Sequence, residues 1–275
     1  MSSKLVDNYF RLDMLPHIWC AGCGNGILMR DLVCAIDRLG YDKDKVCVVS
    51  GIGCSSRASG YMDFNTIHTT HGRAIAVATG IKLANPDLHV IVITGDGDAT
   101  AIGGNHFIHA ARRNIGLTVL IFNNNIYGMT GGQYSPTTPS GDYGTTAPYG
   151  NIDQPFDIPR LAEAAGATFV ARATAYHTAQ TISLIQQALE HKGFSVIDCM
   201  SVCPTYYGRK NKKGSAIDML KWQKEHAVPV SASTKDQKLE NGKFLLGILY
   251  QGERQEYSEK YQELIQKVSA RSVES

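Results

Sequence analysis

Residues 93–133 read ITGDGDATAIGGNHFIHAARRNIGLTVLIFNNNIYGMTGGQ, and this stretch decides the fold. A run of apolar β-formers, Val90 to Thr94, delivers the chain into Gly95-Asp96-Gly97-Asp98. A helical segment follows, and a second apolar run, Leu117 to Phe122, ends at Asn123-Asn124-Asn125. Strand, helix and strand in this order form a βαβ unit with parallel strands. Ligands of an open parallel sheet bind outside the carboxyl ends of its strands, which is where both polar clusters fall. The spacing is GDG, 25 residues, then NN.

That pattern suits a metal-bound diphosphate. Mg²⁺ takes hard oxygen donors at about 2.0 to 2.1 Å and shares its octahedron with phosphate oxygens. Asp96, Asn124 and the carbonyl of Ile126 can supply such donors. Gly95 and Gly97 let the backbone come close to phosphates, and the helix start offers free N–H groups. A lone Gly-Asp-Gly is equally an ordinary turn. With the asparagines in register the joint pattern is far more specific. It resembles the thiamine diphosphate (TPP) motif, and NNIYGMTGGQYSPTTP is similar to the version in 2-oxoacid:ferredoxin oxidoreductases. The resemblance implies cofactor contacts from Asp96, Gly97, Asp98, Asn124, Ile126, Gly128 and Thr130, with Asp96, Asn124 and Ile126 on Mg²⁺.

Working outward, the 275-residue chain is long enough for one large domain or two small ones. At 43% hydrophobic and 19% charged, with a net charge of +2, it is ordinary globular material with no sign of a nucleic-acid partner. Its first residues, MSSKLVDNYFRLDMLPHIW, lack the apolar core of a signal peptide, and no run approaches the roughly 20 apolar residues of a membrane span. The expected location is the cytoplasm.

The odd count of seven cysteines, two of them in a CxxC, argues for reduced thiols or metal ligation. Cys34, Cys47 and Cys199 lie among apolar residues and read as buried structural thiols. Cys20, Cys23, Cys54 and Cys203 are flanked by Gly, Ser or Pro in sequence that reads as loop. Four such thiols suit tetrahedral Zn²⁺ or a [4Fe-4S] cluster, and spacing alone does not choose between them. The resemblance does: WCAGCG, GIGCSS and SVCPTYY match the cluster-bearing cysteines of β subunits in the two-subunit enzymes of that family.

Further elements read from the sequence are an extended arm over 1–19 and helices over 27–39, from 71–73 to about 84, over 158–165 and over 178–191. Strands are expected at 46–50, 168–172 and 195–200. The whole is an α/β protein, a mainly parallel sheet flanked by helices; the resemblance implies the TPP diphosphate-domain fold. Residues 1–208 make that domain; 209–275 form an extension packing on the domain or on a partner subunit. The aperiodic stretch 127–155 is too long for an idle loop and is expected to order against a ligand or partner.

The resemblance covers roughly the first 210 residues. It implies oxidative decarboxylation of a 2-oxoacid with coenzyme A, giving acyl-CoA, CO₂ and reduced ferredoxin, reversibly. Arg57, after Cys54-Ser55-Ser56, is the candidate clamp for a distal carboxylate, which points to 2-oxoglutarate. His71 is the second candidate catalytic residue. Pyruvate or a broad set of 2-oxoacids is the alternative substrate range, since the family usually carries Lys where this chain has Gly131. A non-catalytic zinc or electron-transfer subunit is the alternative class. The glutamate that activates TPP belongs, in the family, to a separate pyrimidine-binding domain. An α subunit is therefore the expected partner, in a dimer of αβ.

Overall fold

The computed structural model describes residues 3–231, 233–234, 239 and 242–273. Ten strands are assigned among them: β1 (Val46–Ser50), β2 (Asn65–His68), β3 (His89–Gly95), β4 (Thr118–Asn123), β5 (Ile126–Tyr127), β6 (Gln133–Tyr134), β7 (Phe169–Thr174), β8 (Ser195–Met200), β9 (Ala227–Pro229) and β10 (Phe244–Gln251). The helices are α1 (Ser3–Tyr9), α2 (Asn25–Leu39), α3 (Ala58–Tyr61), α4 (Ala74–Ala84), α5 (Gly104–Arg113), α6 (Ile158–Ala165), α7 (Thr178–Glu190), α8 (Ala216–His226) and α9 (Tyr257–Val273). Eight strands form one sheet in the order β2-β1-β3-β4-β8-β7-β10-β9, parallel except where β10 runs against β7.

The central strands are apolar throughout because both sheet faces are covered. Alternate residues go to opposite sides. Val48, Ile91, Ile93, Leu120, Phe122 and Ile197 pack with Leu28, Leu32 and Ile36 of α2 and with Leu184 and Ile185 of α7. Val49, Val90, Val92, Val119, Ile121 and Val196 pack with Ala74 and Ala78 of α4, Phe107 of α5 and Ala162 of α6. Among the described residues no helix is long and apolar enough to cross a membrane.

The structure corrects the expectation of an extended arm over 1–19. Ser3–Tyr9 is helical, and Tyr9 stacks on Phe64 at 5.7 Å while Phe10 bridges Met62. The arm carries no alternating pattern, and its helix is held by the aromatic residues it reaches. The edge strand β2 is short and largely exposed, so it has no apolar signature; its pairing with β1 makes it a strand. The run 244–250 joins the sheet through β10, so the extension continues the main sheet, and α9 lies outermost with residues 259–270 exposed.

Candidate functional site

The ends of β1, β3, β4 and β8 open on one edge, because the parallel register sets Ser50 beside Ile93, Gly95 beside Phe122 and Asn123 beside Met200. Loops 51–57, 96–103, 124–138 and 201–208 therefore share that edge. Two of them contain a single π-helical turn, Asp98–Ile102 and Pro204–Gly208, a feature found often at functional sites.

Asp96 is only 3% exposed. Its Oδ2 accepts from the hydroxyls of Ser135, at 2.5 Å, and Thr137, at 2.6 Å. Thr137 Oγ1 also lies 3.0 Å from Asn123 Oδ1. Burial pushes the Asp96 carboxyl up to about 6, against the pull of those hydroxyls and of backbone N–H groups. A buried carboxylate served only by neutral donors is short of positive charge, and a divalent cation supplies it. Asn124 is buried and its Oδ1 receives Ile126 N–H at 3.2 Å, which folds the Ile126 carbonyl turn beside it. Gly97 must be glycine for packing reasons: a Cβ there would lie 2.2 Å from the Tyr127 ring. Burial and the charges of Asp96 and Asp98 push the Tyr127 phenol up to about 12. The residues present thus fit a magnesium diphosphate.

Asp98 behaves differently from its neighbour. Its carboxylate turns to Gly72 N–H at 2.7 Å, Ile52 N–H at 3.3 Å and the Thr94 hydroxyl at 2.7 Å. His71 Nδ1 stands 2.6 Å from Oδ1, poorly aligned for N–H donation. Thr130 is exposed and spends its hydroxyl on Gln133 at 2.6 Å, away from Asp96.

The four loop cysteines converge. Burial pushes the Cys23 thiol up to about 12; the Asn25 backbone N–H opposes this, and Cys54, Cys203 and Cys20 add to the rise. Burial likewise raises Cys54 to about 11, with Cys203 and Cys20 adding and Met129 N–H opposing. Trp19 Nε1 donates to the Cys54 carbonyl at 2.6 Å and holds that loop against the CxxC. Buried thiols in such company stay protonated unless a metal takes them as thiolates. Among the described residues no group of three or more His, Cys, Asp or Glu is set closely enough for a single metal ion. A tetrahedral Zn²⁺ needs its sulfurs about 2.3 Å from one centre. A cubane instead carries one thiolate on each of four irons.

Gly128 joins the two halves. A Cβ there would meet Cys54 Sγ at 3.4 Å, Cys203 Sγ at 3.6 Å and Asn124 Nδ2 at 4.0 Å. Arg57 ends a 3₁₀ turn after Cys54, and its Nε is buried without a partner. The His71 ring meets Tyr127 edge-on at 6.2 Å.

Sequence reasoning named the Asp96, Asn124 and cysteine positions but missed Ser135, Thr137, Thr94 and Trp19 as supports. The only signal for the first two is the hydroxyl-rich YSPTTP after the TGGQ turn.

Residues 51–199 match the family described as thiamine pyrophosphate enzyme, C-terminal TPP binding domain. The 2-oxoglutarate synthase subunit KorB of Methanothermobacter marburgensis is 51% identical, covering 96% of this chain and 93% of that one. The protein of the same description from Methanocaldococcus jannaschii is 52% identical over 95% of this chain and 97% of its own length. A solved structure, 2-oxoglutarate:ferredoxin oxidoreductase from Magnetococcus marinus with 2-oxoglutarate, coenzyme A and succinyl-CoA bound, superposes with a TM-score of 0.86 at 34% identity, covering 96% of this chain and 90% of that one.

Proposed function

The chain belongs to the β subunits of 2-oxoacid:ferredoxin oxidoreductases, and on that premise we propose that it forms the diphosphate and cluster half of a 2-oxoglutarate:ferredoxin oxidoreductase. The reaction takes 2-oxoglutarate and coenzyme A to succinyl-CoA and CO₂, and two electrons leave singly to ferredoxin. The observation that carries this is Gly128, where the turn after Asn124 lies against Cys54 and Cys203. A diphosphate site and a thiol set share one wall there.

In this reading Asp96, Asn124 and the Ile126 carbonyl hold Mg²⁺, while Ser135 and Thr137 hold Asp96. Gly97 keeps the turn tight beneath the Tyr127 ring. Bound TPP supplies the nucleophile and electron sink that 2-oxoacid decarboxylation requires, and a [4Fe-4S] cluster on Cys20, Cys23, Cys54 and Cys203 accepts electrons singly. Arg57 grips the distal carboxylate of 2-oxoglutarate; its buried, unpartnered Nε is a donor waiting for an acceptor. His71 borders the reacting end of the substrate.

The opposite wall belongs to an α subunit with the pyrimidine-binding domain. Ile52, Ile102 and Met129, on the same loops, are 41%, 51% and 44% exposed, an apolar rim suited to a covering subunit.

Anaerobic purification of the αβ complex tests this. Iron at about four per chain and bound TPP are expected, and zinc without iron overturns the cluster assignment. Arg57→Ala is expected to cut kcat/KM for 2-oxoglutarate by 10- to 100-fold while sparing pyruvate; an equal loss on both removes Arg57 as the clamp.

A further inference from the structure

Asp98 is the second carboxylate of the Gly-Asp-Gly-Asp turn, and this chain's own groups surround it. Oδ1 faces Gly72 N–H at 2.7 Å, Ile52 N–H at 3.3 Å and His71 Nδ1 at 2.6 Å; Oδ2 accepts from Thr94 at 2.7 Å. A carboxylate has about four lone-pair positions. Three of them take the Gly72 and Ile52 N–H groups and the Thr94 hydroxyl, and the His71 ring lies against Oδ1.

The backbone is shaped around this arrangement. A Cβ at Gly51 would lie 2.0 Å from Asp98 Oδ2. Gly72 adopts φ +70°, and a Cβ there would lie 2.4 Å from Ile102 Cγ2. The loop that carries Cys54, the loop that carries His71 and the diphosphate turn therefore meet on one buried carboxylate.

His71 has its second ring nitrogen, Nε2, without a partner among the described residues, and its side chain is 35% exposed. The ring stands edge-on to Tyr127, whose own ring covers Gly97. One nitrogen lies against Asp98 and the other is at the rim of the diphosphate turn. Nδ1 approaches off the ideal N–H direction, and pairs of this kind often align only when the substrate complex forms.

We propose that Asp98 is a positioning residue for His71 and not a cofactor ligand, so that His71 Nε2 faces the 2-oxoacid as a hydrogen-bond partner. The inference rests on the reading of this edge as the 2-oxoacid site. A carboxylate at Nδ1 selects the tautomer with Nδ1–H and leaves the Nε2 lone pair as the acceptor. Bonds to the Gly72 and Ile52 amides keep the carboxylate from following the ring when the ring moves.

The test is a double-mutant cycle in the αβ complex with Asp98→Asn, His71→Ala and the pair. Asparagine keeps an acceptor for Gly72 N–H and loses the charge. Each single variant is expected to lower kcat by about 10- to 100-fold, with KM for 2-oxoglutarate, TPP content and iron content unchanged. The double variant is expected to be no worse than His71→Ala, because Asp98 acts through the ring. Additive losses, or loss of TPP from Asp98→Asn, would overturn the proposal. Should Asp98→Asn not assemble, His71→Ala alone decides. Near pH 8 added imidazole, which has an N–H for Asp98 and a second nitrogen for the substrate, is expected to restore turnover. 1-Methylimidazole, with no N–H in its neutral form, is expected not to, and equal rescue by both overturns the proposal. A wild-type complex without TPP or 2-oxoglutarate turnover would instead sink the functional reading itself.

Discussion

Asp96 and Asp98 stand two positions apart, both 3% exposed, and do different work because their partners differ. Asp96 receives two neutral hydroxyls and no positive charge; Asp98 accepts from two backbone N–H groups and the Thr94 hydroxyl and has His71 beside it. Asp96→Ala is therefore expected to abolish TPP retention in the complex, measured by release after gel filtration; unchanged TPP content would remove the magnesium assignment. Thr137→Val should weaken Mg²⁺ retention by about 10- to 100-fold and Thr137→Ser should restore it, since only the hydroxyl reaches Asp96. Titration of Mg²⁺ into chelator-stripped protein reads this directly. A separate carboxylate, Asp31, is wholly buried with Oδ2 unpartnered, and burial pushes it up to about 6 against the pull of Arg30. Its folded value lies above its unfolded one, so its contribution is full below about pH 4 and is lost as pH rises toward about 6. Asp31→Asn is thus expected to gain stability on the order of 2 kcal/mol at pH 7 relative to pH 4. Denaturant melts at the two pH values check it; a gain that does not change with pH would show that the buried charge is not the cause.

At the scale of elements, the sheet edge is set by where helices stop. α5 ends at Asn114, which adopts φ 57° and is fully buried. Its Oδ1 accepts from Phe194 N–H at 2.9 Å and from the Thr168 hydroxyl at 2.8 Å, and its Nδ2 donates to the Arg254 carbonyl at 2.8 Å. One residue thus ties α5, the strand starts and the segment before α9 together. Asn114→Ala should destabilise by about 2 to 4 kcal/mol, from the left-handed backbone and the stranded donors together. Asn114→Gly should cost less, because only the hydrogen bonds are lost; equal losses in denaturant melts would show that the backbone conformation contributes nothing. Nothing in the sequence reveals the three distant partners of this residue.

For the whole molecule, parallel strands with helices on both faces leave one edge for chemistry and bury the rest. The apolar Ile52, Ile102 and Met129 rim that edge. The chain alone is accordingly expected to turn over no 2-oxoacid, and adding the α subunit should restore activity in proportion to αβ complex formed. Turnover by the isolated chain would refute the need for a second wall. The extension adds β10 and β9 to the sheet beyond β7, so truncation before residue 244 should lower stability by exposing the edge of β7.

The sequence by itself determined the five central strands and most of the helices, and it marked the candidate chemistry-bearing positions. Apolar period and glycine punctuation are local, and Gly-Asp-Gly with the asparagine pair at its spacing is readable along the chain. The edge strand β2, the helical first residues and the place of β10 in the sheet were decided by pairing and packing partners far away in sequence. The same holds within the site. That Asp96 and Asp98 point into different surroundings, that Ser135 and Thr137 return to hold Asp96, and that Gly128 lies near two sulfurs and Asn124 are consequences of loops meeting in space. A residue's type states which bonds it can make; only the tertiary fold, by bringing distant donors and acceptors within 3 Å or so, selects which of them it does make.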